Sequence, residues 1–351
     1  MRLTSLLAIV AFLSAMGCEP GQSSTIPKDK DKIEDTDTDT DTDVVDTDTD
    51  TDVVDTDTDT AVLADFDCGT IPAMAGPAVN LEAPRGYNDI VFDAAGAMIG
   101  SDENVFWRAT DADTATAYAT GIGRVYKMGI LPGGDVVGAL SSGEGGGFIR
   151  VDAAGGKTQI VPGLNGYGLA VGNDGMVYLA TNYTGGAEAI IRVDPDTGDA
   201  VEIIDCTPYP ARAIAFNRDF SRLYFGTLDG GEVYGVDLDA NLDPIGDPVL
   251  IRNVPQAWHD TVEVDACGQI YVGSVFSSSI WRINMDLSIT ELIDWDFNTY
   301  GHGMEWGSAV GGWDEMSVYI THPYIGSRVD SYEVGVPGAH WVGNPIGGVT
   351  L

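Results

Sequence analysis

Six copies of one short apolar strand, each closing on Ser, Thr or Leu, restrict the fold of this chain more than any other feature. They run from Gly96 to Ser101 (GAMIGS), Gly134 to Leu140, Gly175 to Thr181, Arg222 to Thr227, Gly268 to Ser274 and Met316 to Thr321. Their last residues are spaced by 39, 41, 46, 47 and 47 positions. A third strand follows each copy in the same rhythm, as in Phe148 to Asp152 (FIRVD) and Ile190 to Asp194 (IIRVD), and a fourth precedes the next apolar run, as in Ala200 to Asp205. No helical periodicity competes, and Gly-Asp, Gly-Gly and Asn-Asp turns punctuate the strands. Four strands per unit at this period predict an all-β, six-bladed β-propeller. The sixth unit has no fourth strand after Val334, whereas Ala78 to Asp89 reads like the joint between an outer strand and the next inner one. An N-terminal strand is therefore expected to complete the last blade and remove the open edge.

The residues ahead of the repeats have a different character. Arg2, the apolar run Leu3 to Leu13 and the small residues Ala15-Met16-Gly17 before Cys18 have the layout of a secretory signal. About ten apolar residues are too few to span a bilayer. The Cys after Ala-Met-Gly resembles the bacterial lipobox, which implies a signal peptide over residues 1–17 and diacylation of Cys18. Residues 18–60 then form a lipidated cysteine and a linker. Residues 28–60 hold 15 acidic side chains against Lys28, Lys30 and Lys32, mostly as Asp-Thr alternation, so this segment repels itself and is expected to be disordered. About 40 residues at roughly 3.3 Å each reach on the order of 130 Å. The expected setting is extracytoplasmic and lipid-anchored, at the bacterial outer membrane or cell surface.

Of the formal net charge of -37, residues 61–351 carry -25, from 13 basic and 38 acidic residues. A fold this acidic excludes a nucleic-acid binder and favours cations and basic partners.

The six repeats, together with the stretches from Val264 to Val272 (VDACGQIYV) and Arg192 to Gly198 (RVDPDTG), resemble the six-bladed propeller superfamily of the regucalcin/gluconolactonase, strictosidine-synthase-like and NHL-repeat families. The resemblance covers residues 76–334. It is specific for architecture and poor for activity, because this superfold hosts hydrolases, lyases and pure binding modules.

In such a ring all inner strands enter from one face, so their first residues converge on one mouth of the central tunnel. Aligned on the turn glycines, these are Asn88, Tyr126, Tyr167, Arg212, Asp260 and His302, with Asp89, Trp258 and His259 adjoining. This polar collar is the candidate ligand-binding site. The resemblance also implies a calcium site, because regucalcin-type lactonases hold the metal with a Glu, two Asn and an Asp from inner strands. Asp260 matches the aspartate, and Asn88 lies at the corresponding start of repeat 1. The pattern departs at repeat 4, where the family's Pro-Asn-Gly is Ala211-Arg212-Ala213. A guanidinium donates no lone pair to a cation, so Arg212 is expected either to pair with Asp260 or to receive a carboxylate ligand. His259 and His302 are candidate general bases, but neither adjoins an evident Ser or Cys nucleophile.

Two functions follow as expectations. One is a binding module whose mouth takes a small molecule, a glycan or an envelope protein, and which works as a monomer. The other is a calcium-dependent lactonase or esterase of the gluconolactonase type. Trp295, Phe297, Tyr300, Trp306 and Trp313 add an aromatic group around an insertion at Gly307 to Asp314; they serve as blade core or, if the insertion overhangs the mouth, as a stacking face. Cys68, Cys206 and Cys267 sit in a setting that permits disulfides. Cys68 before the closing strand and Cys267 in a hairpin both belong to the face opposite the mouth, whereas Cys206 belongs to the mouth side. The expected pair is Cys68 with Cys267.

Overall fold

The computed structural model describes residues 66–181, 188–207, 209–255, 258–274, 279–295 and 300–340. The chain divides into two units, Met1–Thr58 and Asp59–Leu351, and all described residues belong to the second. The expected signal peptide, Cys18 and the acidic linker lie outside the described residues.

Among the described residues, six antiparallel four-stranded sheets form the six blades of a propeller. Blades 1 to 5 are continuous in sequence, over residues 90–120, 125–160, 168–205, 211–253 and 259–294. Blade 6 takes three strands from residues 304–333 and its outermost strand from Val79–Leu81, which pairs antiparallel with Arg328–Glu333, Val79 opposite Ser331 and Leu81 opposite Val329. The ring closes as the repeat count requires.

Burial follows strand position. Inner strands such as Ala211–Phe216 are buried at every residue because a neighbouring blade covers each face, so they show no apolar–polar alternation. Outer strands such as Lys157–Ile160 are largely exposed and polar. Between blades, Tyr178, Tyr271, Phe106, Phe148 and Phe225 are fully buried. Each contributes roughly 1.5–3 kcal/mol of burial.

The turns account for much of the acidity. Asp93 Oδ1 accepts from the N–H groups of Ala95 and Ala97, Asp152 Oδ1 from Ala154 and Gly156, and Asp239 Oδ1 from Asn241 and Asp243, all at 2.8 to 2.9 Å. An aspartate at the head of a hairpin satisfies two backbone donors, which makes it the residue of choice there. The recurrent third-strand arginines use the neighbouring carboxylates: Arg108 Nε reaches Asp93 and Arg150 Nε reaches Asp135, each at 2.7 Å.

The N-terminal segment is fastened before it enters blade 6. Cys68 is disulfide-bonded to Cys267 in the inner hairpin of blade 5, Arg282 Nη1 donates to Pro72 O at 2.9 Å, and Gly76 N donates to Glu333 O at 2.7 Å. Cys206 is a buried free thiol.

Candidate functional site

The collar residues owe their aim to irregular pairing. In blade 4 the register slips between Ala211 and Ala213, in blade 5 between His259 and Thr261, and in blade 2 between Val125 and Met128. Arg212, Asp260 and the pair Tyr126–Lys127 are thus the residues left out of the ladder, and a bulge turns such side chains toward the tunnel. Gly226 in the second strand of blade 4 and Gly303 just before the inner strand of blade 6 leave room for this. A Cβ on Gly226 would stand 2.6 Å from the His259 Cβ, and one on Gly303 would stand 2.3 Å from Asp89 Oδ1.

All eight predicted collar residues, Asn88, Asp89, Tyr126, Tyr167, Arg212, His259, Asp260 and His302, are buried. Asp260 lies at the centre of one network. Its Oδ1 accepts from Arg212 Nε at 2.8 Å, Arg212 Nη2 at 2.6 Å and the Tyr167 hydroxyl at 2.5 Å, which ties blades 3, 4 and 5 together. The Arg212 guanidinium lies 3.7 Å from the Tyr167 ring centre and 5.2 Å from that of Trp258, and Tyr167 stacks on Tyr126 at 4.6 Å. Trp258 holds a left-handed φ of 63° beside His259. Burial alone raises the Asp260 carboxyl, but Arg212, His302 and Tyr167 outweigh it and hold it below the usual carboxylate range. Burial and the adjacent Asp260 keep the Tyr167 phenol protonated, so it remains a donor.

A second network joins the other blades. Asn88 Nδ2 donates to Val125 O at 2.6 Å, and the Thr321 hydroxyl donates to Asn88 O at 3.2 Å. Asp89 takes the Met128 N–H at 2.8 Å and Lys127 Nζ at 3.1 Å. Burial drives His302 down to about 4, against the upward pull of Asp260. It is a neutral imidazole near pH 7, buried with neither ring nitrogen hydrogen-bonded.

Further along the inner strands the tunnel holds Glu263 from blade 5 and Glu305 from blade 6. Sequence reasoning passed over these two, Lys127 and the mouth residue Arg124. The signal was present: each is a charged residue inside or beside a strand that is otherwise apolar. Burial pushes the Glu305 carboxyl up to about 8, and burial followed by the Glu305 charge pushes Glu263 well above the usual range.

The two residues expected to hold calcium at the collar differ in what they offer a cation. The Asn88 amide oxygen, the atom a metal would use, is buried with no hydrogen bond, but Oδ1 of Asp260 already receives three donors, two of them from a cation. Among the described residues no group of three or more His, Cys, Asp or Glu side chains is placed to hold a metal ion. Of the calcium set expected from Asn88 and Asp260, the Arg212 guanidinium stands against the carboxylate on which a metal would rest.

Most of the aromatic group belongs to the core. Trp306 is buried against Tyr271, and Trp313 against Phe92 and Tyr319 at 5.7 and 5.5 Å. Residues 307–314 connect the inner strand of blade 6 to its second strand, and Ser308 Oγ donates to Gly96 O; the insertion lies at the face away from the mouth and gives no overhanging stacking face. Trp295 donates to the Tyr332 hydroxyl at 2.7 Å. Phe297 lies outside the described residues. At the mouth itself are half-buried Tyr87, Trp258 and Tyr300, exposed Arg124, and Tyr324, which is 60% exposed. Arg124 lies over the rings of Tyr87 and Tyr126, at 5.2 and 5.8 Å.

Fold and collar together define a six-bladed β-propeller whose structural neighbours are of the gluconolactonase and regucalcin type. The chain is similar to regucalcin of Agrobacterium tumefaciens, a calcium-binding protein, at 15% identity over 76% of this chain and 96% of that one, with a TM-score of 0.60. It is similar to a gluconolactonase of Xanthomonas campestris at 16% identity over 75% and 98%, TM-score 0.58. An auxiliary nutrient-binding protein of Bacteroides ovatus matches at 14% identity over 75% and 72%, TM-score 0.56. No family model matches the sequence, and no curated protein matches it. At these identities the likeness establishes the fold.

Proposed function

We propose that this propeller is a binding module working outside the cytoplasm, held to an envelope membrane by lipid on Cys18 and engaging a small molecule, a glycan or an envelope protein as a monomer at its tunnel mouth. The observation that carries this reading is the Arg212–Asp260 pair, with Nη2 to Oδ1 at 2.6 Å. It puts a fixed cation where a metal-dependent hydrolase needs a ligand oxygen, and so speaks against the lactonase reading. Exposed Arg124 and the rings of Tyr87, Tyr324, Tyr300 and Trp258 offer the mix of cation and aromatic faces that binding mouths use. The nutrient-binding neighbour on the same fold supports this reading.

Calorimetry of calcium into residues 61–351, wild type and Asp260→Ala, tests this. The expected result is no stoichiometric heat and a melting temperature indifferent to chelator. Micromolar one-site binding that disappears in Asp260→Ala would overturn the reading and restore the metal-dependent hydrolase. Palmitate labelling lost in Cys18→Ser checks the anchor.

A further inference from the structure

The far end of the tunnel is built differently from the mouth. There the last residues of the inner strands surround a cavity of about 290 Å³, walled by Val91, Met128, Leu169, Ala170, Ile214 and Trp306 among others and floored by Glu263 and Glu305. That volume lies at the lower end of small-molecule sites. His340 sits on the rim, its Nε2 held at 2.9 Å by Asn217 O.

No cationic side chain among the described residues touches the two carboxyl groups of this floor. Lys127, whose charge acts on both carboxyl groups through space, is 3.1 Å from Asp89 Oδ1. Among the described residues Glu305 Oε1 accepts only the Trp306 N–H, at 2.9 Å, and Glu263 makes no hydrogen bond or salt bridge, its surroundings acting on it through burial and the charges of Glu305, Lys127 and Asp89. Two half-buried carboxyl groups from adjacent blades thus line an apolar cavity, with no cationic side chain in contact with them among the described residues. Removing an unpaired carboxylate from water costs several kcal/mol, and a fitted cation offsets that cost.

The geometry points to a second binding site here, distinct from the mouth, for a small organic cation: a primary ammonium carried on an apolar body. The ammonium donates to Glu263 and Glu305, and the body fills the space between Met128, Leu169 and Ile214. A bare metal ion satisfies the carboxylates but leaves the apolar walls unfilled, whereas a neutral apolar molecule fills the walls but leaves the carboxylates unpaired. The acidic field of the whole propeller draws cations toward it. Because burial holds a proton on the pair near neutral pH, the incoming ammonium drives that proton from Glu305 to solvent.

The test is calorimetry of the purified full chain at pH 7.5 with 2-phenylethylammonium, with 2-phenylethanol as the uncharged isostere and calcium chloride as the metal alone. One-to-one binding of the amine, at least tenfold tighter than the alcohol and weakened at least tenfold in Glu263→Gln, is expected. Ala170→Leu, which narrows the cavity while keeping both carboxylates, should weaken it as well. Titrations in two buffers of different ionisation enthalpy should show proton release; the titratable groups facing the pair are Asp89, Lys127 and, at the rim, His340, whose imidazole burial drives down to about 4. Absence of saturable binding, undiminished affinity in Glu263→Gln, equal affinity for the alcohol, or stoichiometric displacement of the amine by micromolar calcium would each overturn the site.

Discussion

Arg212 and Asp260 meet through a single oxygen: both Nε, at 2.8 Å, and Nη2, at 2.6 Å, reach Oδ1, which also accepts from Tyr167. Both side chains are buried, at 5% and 1% exposure. A buried pair of this kind contributes little net stability, but removing one partner strands the other. Arg212→Ala is therefore expected to destabilise the propeller by about 3–5 kcal/mol. The double variant Arg212→Met/Asp260→Leu should recover most of that loss. Urea midpoints of the three proteins decide it; a double variant as unstable as Arg212→Ala would mean that the pair stabilises the fold outright.

The two carboxyl groups at opposite ends of the tunnel give opposite pH dependences. Asp260 titrates below its unfolded value, so its contribution is present above the ordinary carboxylate range and is lost only as pH falls through its folded value. Glu305, raised to about 8, binds its proton more tightly folded than unfolded. Its contribution is full below the unfolded value of about 4.3 and declines as pH rises to about 8, by at most about 1.4 kcal/mol per pH unit and by less because the side chain faces the cavity. Glu305→Gln should thus melt higher than wild type at pH 8 and close to it at pH 4.5. Equal shifts at both values would remove Glu305 from the account.

The fold was readable because repeat spacing and turn chemistry act locally. The strand ends at Ser101 through Thr321 lie in the second strands of the six blades, and Val79–Leu81 does close the ring. The collar was readable only in part. Alignment on turn glycines reached Arg212 and Asp260 because a bulge keeps its place relative to the turn. It passed over Glu263 and Glu305, which lie deeper, and whose importance arises from two inner strands converging on one cavity. The burial of His302 and its resulting loss of basicity likewise depend on covering groups that no single strand encodes. Of the two readings of the aromatic group, core holds for Trp306 and Trp313, and the stacking face does not, because the link at residues 307–314 between first and second strands returns on the far face.

The recurrent second-strand glycines are needed for close approach between blades. At Gly226 the φ angle is ordinary, so only space is at issue, and an added Cβ would sit 2.6 Å from both Cβ and Nδ1 of His259. Gly226→Ala is expected to cost about 1–3 kcal/mol through overpacking and to displace Asp260, one residue on. Gly133→Ala, where a Cβ meets nothing within 4 Å, is the control and should stay within about 0.5 kcal/mol of wild type. Thermal melts of the two variants separate a packing cause from a general intolerance of alanine.

The Cys68–Cys267 disulfide closes a loop of 199 residues that contains most of the ring. By chain entropy a loop of that length stabilises by about 5 kcal/mol, an upper figure because residual structure in the unfolded chain reduces it. The bond anchors the segment that leads into Val79–Leu81, so its loss should loosen the seam strand first. In residues 61–351, Cys68→Ala is expected to lower the denaturation midpoint, with hydrogen exchange rising earliest at Val79, Asn80 and Leu81. Cys206 provides the internal check: burial pushes its thiol up to about 12, so a thiol reagent should modify nothing in the native oxidised protein and one residue after unfolding. A native protein with a rapidly reacting thiol, or peptide mapping that found Cys206 bridged, would contradict both the pairing and the placement of Cys206 on the opposite face.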